Sequence, residues 1–231
     1  MIMSHSITTL IIFKTKGLRN QFWAFQQVPL AIFRLKNVQG LNFVKSMGSG
    51  GGKGFDFTPS FSTYCWLLVW ENKELAETFF QNNSYYKSYV ARSIETKLFY
   101  LENVMSHGLW SKVNPFIKTT DFNPDSSVVV LTRARIKLSR IVQFWTKVGR
   151  TANELYKFED LHFAIGVGEL PFIQQATISI WKNIESVKQY AYKDETHKRV
   201  IALTRQYNWY SEELFARFIL VDSKTITKSI A

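Results

Sequence analysis

The feature that most constrains this chain is an internal recurrence that divides it into two similar halves. Each copy is too short to cover both faces of a sheet, so the fold must let one copy cover the other. Three stretches carry the recurrence: DLHFAIGVG at 160–168 matches GLNFVKSMG at 40–48, FW at 144–145 matches FW at 22–23, and WKN at 181–183 matches WEN at 70–72.

Hydrophobic periodicity predicts the same order of elements in both halves. The first half is predicted as a strand at 7–14, a helix at 21–35 that bends or restarts at Pro29, strands from 41 and at 61–70, helices at 72–82 and 84–94, and a strand at 97–104. The second is predicted as a strand at 128–137, a helix at 139–150, strands at 161–167 and 174–181, helices at 184–192 and 195–207, and a strand at 213–221.

This order corresponds to a βαββαβ unit, the ferredoxin-like arrangement, occurring twice. Each four-stranded sheet would carry helices on one face and leave the other apolar. Packing sheet to sheet closes an α+β barrel of the dimeric type within one chain. We expect a first half at 1–113, a linker at 114–127 that contains two prolines, and a second half at 128–231.

Composition narrows the class of protein. The formal net charge is +11, scattered along the chain, which fits either a solvated basic surface or one that contacts an anionic membrane. Aromatic residues make up 16% of the chain, which indicates an aromatic core or a large apolar pocket. The single Cys65 excludes a disulfide framework and a multi-cysteine zinc site. The first apolar run is too short to span a bilayer, so we expect a cytoplasmic protein, with membrane contact only at the inner face.

The glycine-rich stretch at 48–54 partly resembles two signatures, one for binding a nucleotide phosphate and one for binding RNA. The sequence pattern of a phosphate-binding loop is not met at either end, because Met47 occupies the position of its first glycine and Gly54 the position of its Ser or Thr. The Lys53-Gly-Phe-x-Phe57 core resembles an RNA-recognition signature, but it lies in a loop instead of a strand. We expect no nucleic-acid partner and a mobile loop over a pocket mouth.

His197 is the leading candidate for a functional side chain. It lies near the start of the helix predicted at 195–207, on the same apolar face as Val200 and Ile201. The positive end of a helix favours a neutral imidazole, the form that binds a metal. No cysteine or second histidine lies three or four residues away, so a zinc site is excluded, whereas a porphyrin supplies the other four nitrogens itself. The alternative is an ordinary hydrogen-bonded core histidine.

Other residues are candidates for lining a pocket. Arg133 alternates with apolar neighbours, and a buried guanidinium at this position needs an anion such as a propionate or bound oxygen. Glu169, Gln174 and Gln175 lie where strands end, at the predicted barrel mouth.

Several stretches carry a resemblance to a known family when they are taken as a set. They are TRA at 132–134, FW at 144–145, GVGELP at 166–171, QATISIW at 175–181, His197 and WYSEELFARF at 209–218, together with FW at 22–23 and the stretch at 40–54. The set resembles the spheroidene monooxygenase family of carotenoid-biosynthesis enzymes. The resemblance implies a haem enzyme that uses O2 to hydroxylate a carbon of a polyene, repeated at one carbon to give a ketone, with His197 as the axial ligand. It also implies a fold similar to aldoxime dehydratases and chlorite dismutases.

We therefore expect a monooxygenase that binds haem b through its iron and acts on a lipophilic, carotenoid-like substrate. An external electron donor is required, and the sequence leaves open whether the protein is a homodimer. Two alternatives remain: a haem dehydratase of the aldoxime dehydratase type, and a cofactor-free barrel that binds a lipophilic molecule. The predicted site comprises His197 on the iron with Val200 and Ile201 beside it, Arg133 and Gln175 on the distal oxygen ligand, and Trp145, Phe163 and Trp181 around the cavity.

Overall fold

Strands and helices follow one another in the predicted order. The computed structural model describes residues 5–51, 59–148, 155–193 and 195–228, and the side chains of 148, 192, 193, 195–198, 200 and 201 lie outside that description. The first half comprises β1 (Ile7–Thr15), α1 (Leu18–Leu35), β2 (Leu41–Gly50), β3 (Pro59–Trp70), α2 (Lys73–Asn82), α3 (Ser84–Arg92) and β4 (Ser93–Gly108). The second comprises β5 (Val128–Ile136), α4 (Ile141–Val148), β6 (Leu161–Leu170), β7 (Gln174–Trp181), α5 (Ile184–Lys193), α6 (Glu195–Tyr207) and β8 (Tyr210–Thr227).

The eight strands close into one antiparallel barrel in the order β1-β3-β2-β6-β7-β5-β8-β4. The first-half strands form one arc of the barrel, β4-β1-β3-β2, and the second-half strands form the other, β8-β5-β7-β6. Two seams join the arcs. One is a short contact of β2 with β6 at Gly48–Gly168, and the other is the long pairing of β4 with β8. The predicted closed α+β barrel is confirmed.

In the long seam, β4 and β8 are both longer than the sequence predicts. β4 was predicted at 97–104 and β8 at 213–221, yet the two remain paired from Glu95–Thr227 to Gly108–Leu214. The apolar pattern that predicts strands marks only the buried part of each. Outside it the backbone hydrogen bonds continue between polar residues, because each strand finds a partner in the other.

The barrel interior is filled with side chains from both arcs. Strand alternation places every second residue there, and the segment between β4 and β5 adds Trp110 and Phe116, which are almost fully buried. The Phe116 ring packs edge-on against Phe218, with ring centroids 5.0 Å apart. The predicted linker at 114–127 and the division of the chain on either side of it stay predictions. This segment nevertheless closes one end of the barrel.

The outer face of the first arc is covered by α1, α2 and α3 through an aromatic-rich cluster that includes Trp66, Trp70 and Tyr89. Of the two outcomes expected at Pro29, the restart is wrong, because the helix runs unbroken from Leu18 to Leu35, and the bend stays a prediction. A proline clashes with the carbonyl four residues earlier, here that of Phe25. Both residues lie on the exposed side of α1, where water can solvate that carbonyl.

The helices of the second arc are anchored at the two ends of its sheet. Val187 of α5 packs with Trp181 and Val128. Phe144 of α4 and Leu203 of α6 pack with Trp209 at the opposite end. A 3-10 turn at Leu138–Arg140 precedes α4. The glycine-rich loop predicted at 48–54 begins inside β2, and residues 52–58 lie outside the described residues.

Across residues 5–51, 59–148, 155–193 and 195–228, no helix combines the length and the apolarity needed to span a bilayer.

If Trp110 closes the barrel, Trp110→Ala should lower the free energy of unfolding by about 3 to 5 kcal/mol, because it leaves a cavity in a filled interior. Chemical denaturation measures this. The control is the neighbouring Leu109→Ala, whose side chain is 46% exposed and whose loss should cost less than about 1 kcal/mol. Equal costs for the two variants would show that the segment does not contribute to the core.

Candidate functional site

The two arcs can be compared position by position, because the same strand pairings recur in each. Ile7 pairs with Trp70 in the first arc, and Val128 pairs with Trp181 in the second. From these pairs, every second side chain along each strand lies on the same outer face of the barrel, beneath the helices. The comparison therefore shows which side chains each arc presents to its own helices.

The first arc presents large side chains and the second presents small ones. The equivalent outer-face pairs are Ile11–Trp66 against Thr132–Thr177, and Phe13–Tyr64 against Ala134–Gln175. We call Thr132, Ala134, Gln175 and Thr177 the floor. Gly166 of β6 pairs with Thr177 and adds no side chain to it.

Burial follows this difference in size. Ile11 and Trp66 are 0% exposed under the first-half helices. Thr132 is exposed although it lies in the middle of its strand, and Thr177 is only half-buried. Helices and sheet are thus in close contact in the first arc, whereas the floor of the second arc stays partly exposed.

Helix α6 packs against the outer side of the same arc through its C-terminal half. Its C-terminal end is fixed at one end of the sheet, where Leu203 and Tyr207 join the cluster around Trp209 and Thr204 hydrogen-bonds the Tyr210 hydroxyl. Burial raises the pKa of that hydroxyl above its ordinary value, and the bond to Thr204 opposes the rise. The helix begins two residues after α5, which is fixed at the other end of the sheet.

Thirteen residues of α-helix span about 20 Å. A helix of that length is long enough to reach from one anchored end of the sheet to the other. His197 is the third residue of α6, and its side chain, like those of Val200 and Ile201, lies outside the described residues.

A shallow apolar cavity, largely open to solvent, lies on the outer side of the second arc. Its volume is about 380 Å3, and it lies between α4 and the β6–β7 turn, where the Trp145 indole N–H donates to the Phe172 carbonyl at 3.1 Å. Nearby Leu138 is 74% exposed. The lining residues are Ile141, Val142, Trp145, Thr146 and Phe172.

The predicted pocket residues lie on both faces of the barrel wall. Trp145 belongs to the outer cluster around Trp209, and Trp181 belongs to the outer cluster at the other end of the sheet. Phe163 packs inside the barrel, against Phe99 at a centroid distance of 5.6 Å. The expectation that these three aromatic residues surround one cavity therefore does not fit the geometry.

Arg133 and Gln175 are also on opposite faces. Arg133 pairs with Ala176, which faces the interior, whereas Gln175 pairs with Ala134 on the floor. The expectation that both act on one oxygen ligand does not fit this placement. Arg133 is buried as expected, but its anionic partner is a protein carboxylate: NH1 lies 2.5 Å from Oε2 of Glu212.

That ion pair belongs to a charged cluster at the closed end of the barrel. Lys45 donates to Glu169 at 2.6 Å and to the Ser111 hydroxyl at 2.7 Å. The Trp110 indole N–H donates to the other Glu169 oxygen at 2.6 Å. The cluster joins β2 of the first arc to the second arc, and each of its charged groups faces one of opposite sign, while the Nε of Arg133 is buried without a hydrogen-bond partner among the described residues. We assign it a structural role.

Glu212 has the most strongly bonded carboxylate of the cluster. Burial alone would raise its pKa, but the backbone N–H of Lys112, the guanidinium of Arg133 and the backbone N–H of Ser111 outweigh burial, so the pKa lies below its ordinary value. Ser111 and Lys112 reach this carboxylate from a turn with positive φ angles of 57° and 68°.

The His, Cys, Asp and Glu side chains that the structure describes contain no group of three or more that could hold a metal ion. A metal at the floor would need a group that brings most of its own ligands, as a porphyrin does. The floor carries no charge, and three of its four side chains are Thr or Ala, so no large or charged side chain of the floor itself would oppose a flat macrocycle. Arg217 borders the floor: the residue pairs with Val130 beside it, and its guanidinium lies over the Phe215 ring at 5.8 Å.

Comparison with known proteins adds independent information. No family model matches the chain. The chain is 30% identical over 220 residues to the spheroidene monooxygenase of Rhodobacter capsulatus, covering 94% of this chain and 91% of that protein. It is 29% identical over 211 residues to the spheroidene monooxygenase of Cereibacter sphaeroides, covering 91% of this chain and 65% of that protein.

Among solved structures, an aldoxime dehydratase in complex with butyraldoxime is similar with a TM-score of 0.63 at 7% identity, over 96% of this chain and 83% of that one. A second aldoxime dehydratase has a TM-score of 0.60 at 8% identity, over 96% and 85%. At these identities the similarity concerns the fold alone.

Glu212→Gln should lower the free energy of unfolding by about 3 kcal/mol at neutral pH, because it leaves the buried Arg133 guanidinium without its main anion. The lowered pKa sets the pH dependence. The stabilisation from Glu212 is complete above the ordinary pKa of a glutamate and is lost as pH falls through the lower folded value. The difference between wild type and variant should therefore shrink in acid.

The control is the adjacent, exposed Glu213→Gln, which should change stability by less than about 0.5 kcal/mol. Denaturant titrations over a pH series measure both variants. A Glu212→Gln protein as stable as Glu213→Gln would refute the role of the cluster.

Proposed function

This chain belongs to the spheroidene monooxygenase family and is a monooxygenase, and on that premise we propose that it oxidises a carotenoid-like polyene with O2 at a haem b bound between the floor and α6. The relatives named for spheroidene suggest the substrate class. The haem is proposed from the shape of the second arc and from His197.

The observation that carries the proposal is the unequal filling of two equivalent outer faces. We infer that the chain is a tandem of ferredoxin-like units on one scaffold. In the first unit, large residues such as Trp66 fill the space under the helices. In the second, the equivalent position carries the smaller, half-buried Thr177. A filled core favours stability, whereas positions left unfilled give up dispersion contacts unless a ligand supplies them.

The residues that would hold the haem come from both sides of the proposed gap between the floor and α6. His197 on α6 would hold the iron, and Val200 and Ile201 of the same helix would help to hold the group. Arg217 borders the floor and would pair with a propionate, one of the two anions first considered for Arg133. When bound, the haem would supply activation of O2, chemistry that no side chain of the chain provides.

The side chains around the gap would position the substrate and control water. Gln175 is the amide on the floor and would hydrogen-bond a polar group above it. The Trp145 cavity has the apolar lining that a polyene chain requires, and its opening beside the exposed Leu138 offers an entry. The clusters around Trp181 and Trp209 would exclude water at the two ends.

The central test is haem binding and its dependence on His197. Purified protein titrated with haemin should develop a Soret band at one equivalent, and His197→Ala should shift that band and weaken binding. With an external reductant and a polyene, the loaded wild type should incorporate label from isotopically labelled O2 into the product.

Each alternative has its own result in this experiment. A colourless protein after haemin addition supports a barrel that binds a lipophilic molecule without a cofactor. Haem binding with no O2 consumption, together with turnover of an aldoxime, supports a dehydratase. Either result contradicts the proposed function.

A large side chain placed on the floor should prevent haem binding without unfolding the protein. Thr177→Trp restores the residue type of the equivalent first-arc position, Trp66, so it should reduce haemin affinity at least about tenfold, because the side chain occupies the gap. The control is Thr225→Trp at an exposed threonine of β8, which should bind haemin as wild type does. Equal Soret titrations for the two variants would show that the site lies elsewhere.

A further inference from the structure

Helix α1 carries an apolar stripe on the side that faces away from the protein. Its buried side is formed by Ala24, Gln27, Ala31 and Leu35. The opposite side carries apolar residues at spacings of four and three residues, which align them in one row. We call this row the outer stripe: Leu18, Phe22, Phe25, Pro29, Ile32 and Phe33.

The exposure of the stripe is unusual for large apolar residues. Leu18 is 85% exposed, Phe33 76% and Phe22 64%. Phe25 is 53% exposed and contacts the edge of the Phe61 ring at a centroid distance of 5.7 Å, and Phe61 is itself more than half exposed. A contiguous exposed row of this kind marks an interaction surface.

The charge around the stripe is of one sign. The first 55 residues contain seven Lys and Arg and no Asp or Glu. Those nearest the ends of the stripe, Lys16, Arg19 and Lys36, are exposed. The Arg92 guanidinium of α3 lies over the Trp23 ring at 4.3 Å, beside the same helix.

We infer that the outer stripe of α1 docks the protein on an anionic lipid surface, with the helix lying in the plane of the interface. Aromatic and leucine side chains would enter the boundary between headgroups and acyl chains, and the flanking cations would meet anionic headgroups. The inference rests on exposure and charge alone and does not depend on the proposed function.

A second copy of the chain is the competing occupant of the stripe. Two α1 helices packed along their stripes would bring like charges together at both ends, because each copy carries only cations there. An anionic surface has the complementary charge, so the lipid surface is the occupant favoured.

Vesicle sedimentation with the purified full-length protein tests this. Wild type should bind phosphatidylcholine vesicles that contain phosphatidylglycerol, bind phosphatidylcholine alone much more weakly, and lose binding as salt rises. The double variant F22Q/F33Q should lower the partition coefficient at least about tenfold, because it removes two aromatic side chains from the contact.

The matched control is V113Q/I117Q, which changes two exposed apolar residues outside α1 and should bind as wild type does. Thermal unfolding of both double variants checks that they remain folded. The inference is overturned if wild type does not bind anionic vesicles or if F22Q/F33Q binds equally well. It is also overturned if wild type sediments as a dimer that F22Q/F33Q converts to monomer, which would assign the stripe to self-association.

Discussion

Closure of the barrel is the constraint on which the rest of the structure depends. Two sheets from one chain meet at a short seam between β2 and β6 and a long one between β4 and β8. Once they meet, the interior is filled by side chains of both sheets and closed at one end by Trp110 and the charged cluster around Arg133 and Glu212. The described interior is packed, so a large ligand has to bind on the outer faces, between a sheet and its helices.

The outer faces of the two halves carry side chains of different size. The same backbone positions carry Ile11 and Trp66 in one half and Thr132 and Thr177 in the other. Close packing in the first half provides stability, and the smaller residues of the second leave its floor partly exposed, where we propose the site. The charged cluster contributes to the same division: it ties Lys45 of the first half to Glu169 of the second and so fixes the sheet on which the floor lies.

Much of the fold could be predicted from the sequence, because apolar periodicity and an internal recurrence are local signals. The face of the sheet on which a particular side chain lies could not be predicted. Between Leu161 and Phe163 the pairing with β7 shifts by one residue, so Leu161 lies outside the barrel and Phe163 inside, although strict alternation would place them together. The partner of Arg133 is 79 residues away in sequence, and only strand register brings Glu212 to it. The floor itself was overlooked, although comparing the halves in register reveals it.

The central claim is that the second half keeps a gap between floor and α6 for an iron porphyrin. Anomalous scattering at the iron edge from crystals of haemin-loaded protein tests it most directly. The account predicts one iron peak between the strand segment that carries Thr132 and Thr177 and the first turns of α6, within bonding distance of the His197 imidazole. An iron peak elsewhere, or a gap filled by the protein's own side chains with His197 hydrogen-bonded among them, would contradict it.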